Sequence, residues 1–124
     1  MKTLFILMNH SLTKEQEKDA LENLNIDNFV VISDENWSNI DPSNKSILNS
    51  IESYKEKLKE KSKNGDLLLV QGDFGATYAM VNFAKNIGLK PIYATTCRIV
   101  TEQLENGRLV IRREFKHERF REYE

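Results

Sequence analysis

At 124 residues with no internal repeat, the chain has room for one domain and one core. Hydrophobic residues are 40% of it and charged residues 30%, as in an ordinary soluble globular protein. A net charge of -1 excludes a global field that would draw it to long nucleic acid or to a membrane, so any anion site must be local. Its single cysteine, Cys97, excludes an internal disulfide and fits a reducing, cytoplasmic compartment.

Thr3 to Met8 is a continuous apolar run without helical spacing. It is too short for a membrane span and lacks the flanks of a signal segment, so it predicts a strand buried on both faces, as in a parallel sheet. Asn9-His10-Ser11 ends it. A polar helix follows, capped at Ser11 or Thr13, with Thr13 and Gln16 spaced as a capping box, and it ends near Leu24. Phe29 to Ile32 predicts a second strand. Ser33 to Asn44, rich in Asp, Asn and Ser with Pro42, predicts an ordered loop anchored by Trp37.

Lys45 to Lys63 predicts an amphipathic helix with Ile47, Leu48, Ile51, Tyr54 and Leu58 on one stripe, ended by Asn64-Gly65. Its lysines alternate with glutamates, the pattern of a solvated face. Leu67 to Val70 predicts another fully buried strand. Gly72 to Thr77 turns into an apolar helix that runs to Ile87 and is closed by Gly88. Pro91 to Ala94 predicts a short strand, completing a βαβ unit. Cys97 to Leu104 and Arg108 to Phe115 flank Glu105-Asn106-Gly107, a strong hairpin signal. The expected fold is thus a single α/β domain over residues 1–124. Its sheet is mainly parallel and flanked by helices, with an antiparallel C-terminal hairpin.

Ligands of open α/β sheets bind at the carboxyl ends of the strands. Three polar segments meet that description: Asn9-His10-Ser11, Gln71 to Thr77, and Thr95-Thr96-Cys97-Arg98. In the second, Gly72 and Gly75 allow close backbone approach and positive φ. The amides around Phe74, Gly75 and Ala76 would open a helix toward phosphate oxygens, with the Thr77 hydroxyl beside them. The alternative is a tight turn in which Asp73 caps the helix. A carboxylate repels phosphate, so Asp73 is read as a ribose-hydroxyl acceptor or an organising residue. The segment is neither a Walker loop nor a dinucleotide fingerprint.

His10 can serve as acid or base, or be satisfied within its turn. Thr95, Thr96 and Arg98 offer hydroxyls and a guanidinium suited to phosphate, or form a solvent-facing edge. His117 sits in a tail of mixed charge where Phe115, Phe120 and Tyr123 interleave, a pattern for base stacking or for a docked edge or dimer contact. One cysteine and two distant histidines make no metal constellation, and no cofactor motif is present.

The stretches FILMNHSLT (Phe5 to Thr13), VQGDFGATYAMVNF (Val70 to Phe83), GLKPIYATTCR (Gly88 to Arg98) and FKHERFREY (Phe115 to Tyr123) resemble one group of small CRISPR-associated proteins, the twentieth Csx family. The resemblance implies a Rossmann-like fold. The implied ligand is a cyclic oligoadenylate, the second messenger of type III CRISPR immunity, with the four-membered ring expected. The implied activity is that of a metal-independent ring nuclease acting as a homodimer. In that reading the ribose 2′-hydroxyl attacks its neighbouring phosphorus. The Gly75 to Thr77 amides and Arg98 stabilise charge, His10 moves a proton and Asp73 orients the hydroxyl. A binding module that sequesters the ring uncut is the alternative, and a scaffold that docks a protein through its tail is a third.

Overall fold

Two strands apolar on both faces form the centre of a five-stranded sheet. In the computed structural model, which describes all residues 1–124, they are β1 (Thr3–Leu7) and β3 (Leu67–Val70), paired parallel. Alternate side chains of each point into two different cores, which is why neither strand shows polar alternation. On one face Leu4, Ile6, Leu67 and Leu69 pack with Ala20 of helix α1 (Lys14–Asn23). On the other, Phe5, Leu7, Leu68 and Val70 pack with Trp37, Tyr54 and Met80. These last come from α2 (Glu35–Ser38), α3 (Leu48–Lys61) and α4 (Phe74–Asn86).

The strand order is β2-β1-β3-β4-β5, with β2 at Asn28–Val31, β4 at Lys90–Glu105 and β5 at Arg108–Glu122. β1 to β4 run parallel and β5 is antiparallel to β4. From β1 the chain crosses outward to β2, whereas from β3 it crosses outward to β4. The order therefore reverses between β1 and β3, where the loops after their carboxyl ends diverge and leave a crevice.

Local signals explain several boundaries. Thr13 caps α1, its hydroxyl accepting from the Gln16 amide while Gln16 Oε1 accepts from the Thr13 amide. Asn106 and Gly107, both at positive φ, close the hairpin. Four expectations change. Ser33 to Asn44 contains α2, capped by Asp34, because Trp37 must be fully buried and a helical turn delivers it. In α3, Ile51, Tyr54 and Leu58 are buried, but Leu48 is 57% exposed on the first turn. α3 ends at Lys61, short of Gly65, which serves the turn into β3. Pro91 to Ala94 is not a separate short strand, since β4 runs unbroken from Lys90 into the hairpin, with one irregularity between Ala94 and Thr96. No helix is long and apolar enough to cross a membrane.

Candidate functional site

Three hollows open along the carboxyl edge of the parallel strands. One, about 430 Å³, lies on the α1 side. Its wall takes His10 from the segment after β1, Gln71 from the end of β3, and Thr96 from β4. The segments that follow β1 and β3 thereby meet the middle of β4 in one cleft. Phe115 and His117 of β5 and the first turn of α1, Thr13 to Gln16, complete it.

The groups in this cleft have defined duties. Gln71 Oε1 accepts from the Ala94 amide at 2.7 Å, fixing the side chain across β3 and β4. Its amide nitrogen has no partner within the chain and is left as a donor. The His10 ring, exposed at the mouth, contacts the Ser11 carbonyl through Nδ1. α1 opens onto the cleft, so its free Lys14 and Glu15 amides carry the positive end of the helix dipole, while the side-chain charges of Lys14 and Glu15 on that wall offset each other.

His117 belongs to this site, although its sequence context gave no reason to prefer it. Its side chain is 6% exposed, and Nε2 lies 2.7 Å from Asp19 Oδ2 on α1. Phe120 packs on the ring at 4.7 Å between centroids. Nδ1 is buried without a partner. Burial alone raises the Asp19 carboxyl, but hydrogen bonds from Asn23 and His117, with the charges of His117 and Arg119, hold it below the usual carboxylate range. Asp19 and His117 lie on different elements, so no local motif marks the pair.

A second hollow, about 340 Å³, takes Asn9, His10 and Ser11 toward β2. There Asn9 Oδ1 accepts from Ser38 Oγ at 3.3 Å. A third, about 550 Å³, lies on the α4 side and takes Gln71, Gly72, Phe74 and Thr77. Phe74 is 94% exposed there, and Tyr78, one turn on, 73%. The Thr77 hydroxyl is buried without a partner.

The remaining expected residues have other work. Asp73 is the N-cap of α4, its carboxylate accepting from the Ala76 amide at 2.9 Å while its carbonyl takes the Thr77 amide. Those two amides are thus spent within the chain, and only the amides from Gly72 to Gly75 stay free. Ala76 is fully buried in the core. Neither Gly72 nor Gly75 has positive φ. Gly72 is needed for close approach to protein, not ligand: a Cβ there would stand 2.7 Å from the Trp37 indole nitrogen, which donates to the Gln71 carbonyl. Thr95 clasps the irregularity in β4, its hydroxyl donating to the Arg119 carbonyl and accepting from the Arg119 amide. Arg98 lines none of the three hollows. It lies two residues beyond Thr96, exposed and opposite Phe115, because β4 carries it outward along the hairpin.

No group of three His, Cys, Asp or Glu side chains is placed to hold a metal. A family model described as the uncharacterized protein MJ1673 family matches residues 2–121. "Uncharacterized protein MJ1673" of Methanocaldococcus jannaschii is 45% identical to the chain over 126 residues, covering 99% of the chain and 98% of the relative. No solved structure matches the chain.

Proposed function

The chain belongs to the MJ1673 family, and on that premise we propose that it binds a cyclic oligoadenylate in the α1-side cleft of a Rossmann-like domain and linearises it in the cytoplasm. The carrying observation is the meeting of His10 and Gln71, from the ends of β1 and β3, with Thr96 of β4 at the N-terminus of α1. That combination offers neutral donors and helix amides to phosphate oxygens, with Lys14 balancing Glu15 on the same wall. The resemblance of the four sequence stretches to Csx-type ring nucleases supplies the ligand class, with the tetra-adenylate ring the first candidate.

The chemistry this cleft suits is transesterification. The 2′-oxygen forms a bond to its own neighbouring phosphorus, and the bond from phosphorus to the 5′-oxygen breaks. An imidazole takes the 2′-hydroxyl proton, and water gives a proton to the departing 5′-oxygen. His10, exposed at the mouth, is the imidazole placed for that transfer, while His117, its Nε2 hydrogen-bonded to Asp19, forms part of the wall. The Thr96 hydroxyl, the Gln71 amide and the first amides of α1 face the growing charge on the phosphoryl oxygens. Arg98 and Asp73 have no part in this version, since one stands on the hairpin and the other caps α4.

The test is calorimetric titration with cyclic oligoadenylates of several sizes, followed by mass measurement of the recovered ligand. Binding of one ring size with loss of the intact ring is expected. Binding with the mass unchanged makes the protein a sequestering module. No binding of any ring removes the nucleotide reading.

A further inference from the structure

The hollow on the α4 side, about 550 Å³, has the size of a small-molecule site. One stripe of α4 lines it. Phe74, Tyr78 and Asn82 are spaced four residues apart, so they follow one another along a single face of the helix. Phe74 is 94% exposed and Tyr78 73%, so neither ring contributes to the core. Tyr123 supplies a further wall and is held there. Its hydroxyl donates to the Val70 carbonyl at 2.6 Å, and its ring lies against Tyr93 at 4.8 Å between centroids.

We propose that this hollow is a binding site for an adenine base, separate from the α1-side cleft. Bare aromatic rings at a ligand-sized hollow suit a flat partner, because a base stacks on them through its π face. Charge then narrows the class. The one cation lining the hollow is Lys85, whose Nζ donates to the Glu124 carbonyl at 3.2 Å, and Glu124 brings a carboxylate to the same wall. The hollow therefore offers no net positive charge to a phosphate and fits an uncharged heterocycle. Asn82 chooses the base. Its exposed side-chain amide makes no hydrogen bond within the chain, and it presents a donor and an acceptor side by side. That pair matches the N7 acceptor and amino donor of adenine, whereas guanine shows two acceptors along the same edge. An apolar peptide segment would use the rings and leave the amide idle. Gln71 lines both this hollow and the cleft, so a ligand whose phosphate sits in the cleft has a base site next to it. That last consequence rests on the ligand reading; the base site itself does not.

The test is an NMR titration of isotope-labelled protein with adenosine, which carries no phosphate, and with inosine, whose oxygen replaces the amino group of adenine. Adenosine is expected to shift the amide signals of Phe74, Tyr78 and Asn82, the Asn82 side chain included, and to bind several-fold more tightly than inosine. Tyr78→Ala is expected to weaken adenosine binding about tenfold, the loss of one stacked ring. Tyr78→Leu, which keeps apolar bulk without the π face, should weaken it too. Asn82→Ala should abolish the preference over inosine. These side chains are exposed, and the rest of each variant's spectrum checks that it is folded. Shifts that are absent, or confined to His10 and Thr96 of the cleft, overturn the proposal. So does a folded Tyr78→Ala that binds adenosine as the wild type does, or equal affinity for the two nucleosides. Because adenosine has no phosphate, such a failure leaves the ring-cleavage reading to its own test.

Discussion

His117 and Asp19, 98 positions apart, are joined by a 2.7 Å hydrogen bond that ties α1 to the root of the β4–β5 arm. The bond holds one wall of the cleft to another, so its loss is felt both in stability and at the site. His117→Ala also removes the ring that packs on Phe120. A loss of about 2 kcal/mol is expected in urea unfolding, from one hydrogen bond to a charged group plus an aromatic contact.

Acid should expose the same link. Asp19 is held below its ordinary value, and so is Asp34, chiefly by the hydrogen bond from the Tyr54 hydroxyl. A folded-state value lower than the unfolded one contributes stability that is complete above about pH 4 and is lost as pH falls through the folded value. Urea midpoints measured from pH 5 downward should fall less steeply in Asp19→Asn than in the wild type below pH 4. Equal acid limbs would remove Asp19 from the account.

Gly72 and Gly75 should respond in opposite directions to alanine. At Gly72 the new methyl meets the buried Trp37 indole at 2.7 Å, and a cost of roughly 1–3 kcal/mol is expected. At Gly75 its nearest neighbours stand at 3.5 and 3.7 Å, ordinary contact distances. Gly75 lies in the first turn of α4, so alanine there should be neutral or stabilising by up to about 1 kcal/mol. Thermal melts of the two variants read the contrast directly.

Much of this fold was legible from local chemistry. The runs Leu4 to Met8 and Leu67 to Val70, the Thr13–Gln16 box and the Asn106-Gly107 turn each declare themselves within a few residues. The site was legible only in part. His10 and Gln71 meet in one cleft because each follows an apolar strand and the ends of neighbouring parallel strands meet, and Thr96 joins them from within β4. The duty of Asp73 was visible as an alternative, but a ligand and a helix cap ask for the same residue at that place. Arg98 fell both in the polar segment after Pro91 to Ala94 and in the Cys97 to Leu104 hairpin run, and the unbroken β4 follows the second, which carries it away from the cleft. The His117–Asp19 pair was hidden because it depends on how α1 sits over β5, a relation between distant segments.

Thr96 separates binding from folding. Its hydroxyl makes no hydrogen bond within the chain and its side chain is exposed on the cleft wall. Thr96→Val should leave the melting temperature within about 2 °C, since surface changes of this kind are worth about 0.5 kcal/mol or less. It should weaken cyclic oligoadenylate binding several-fold, from one lost hydrogen bond to phosphate. Unchanged affinity would take the cleft's β4 wall out of the binding site.

The most direct measurement is incubation of excess purified protein with cyclic tetra-adenylate in EDTA, followed by mass analysis of the nucleotide. The account predicts linear product ending in a 2′,3′-cyclic phosphate. It also predicts that His10→Ala slows the conversion by about 100-fold or more, the usual worth of a positioned proton-transfer group. A ring recovered intact at protein excess, or a His10→Ala variant as fast as the wild type, contradicts it.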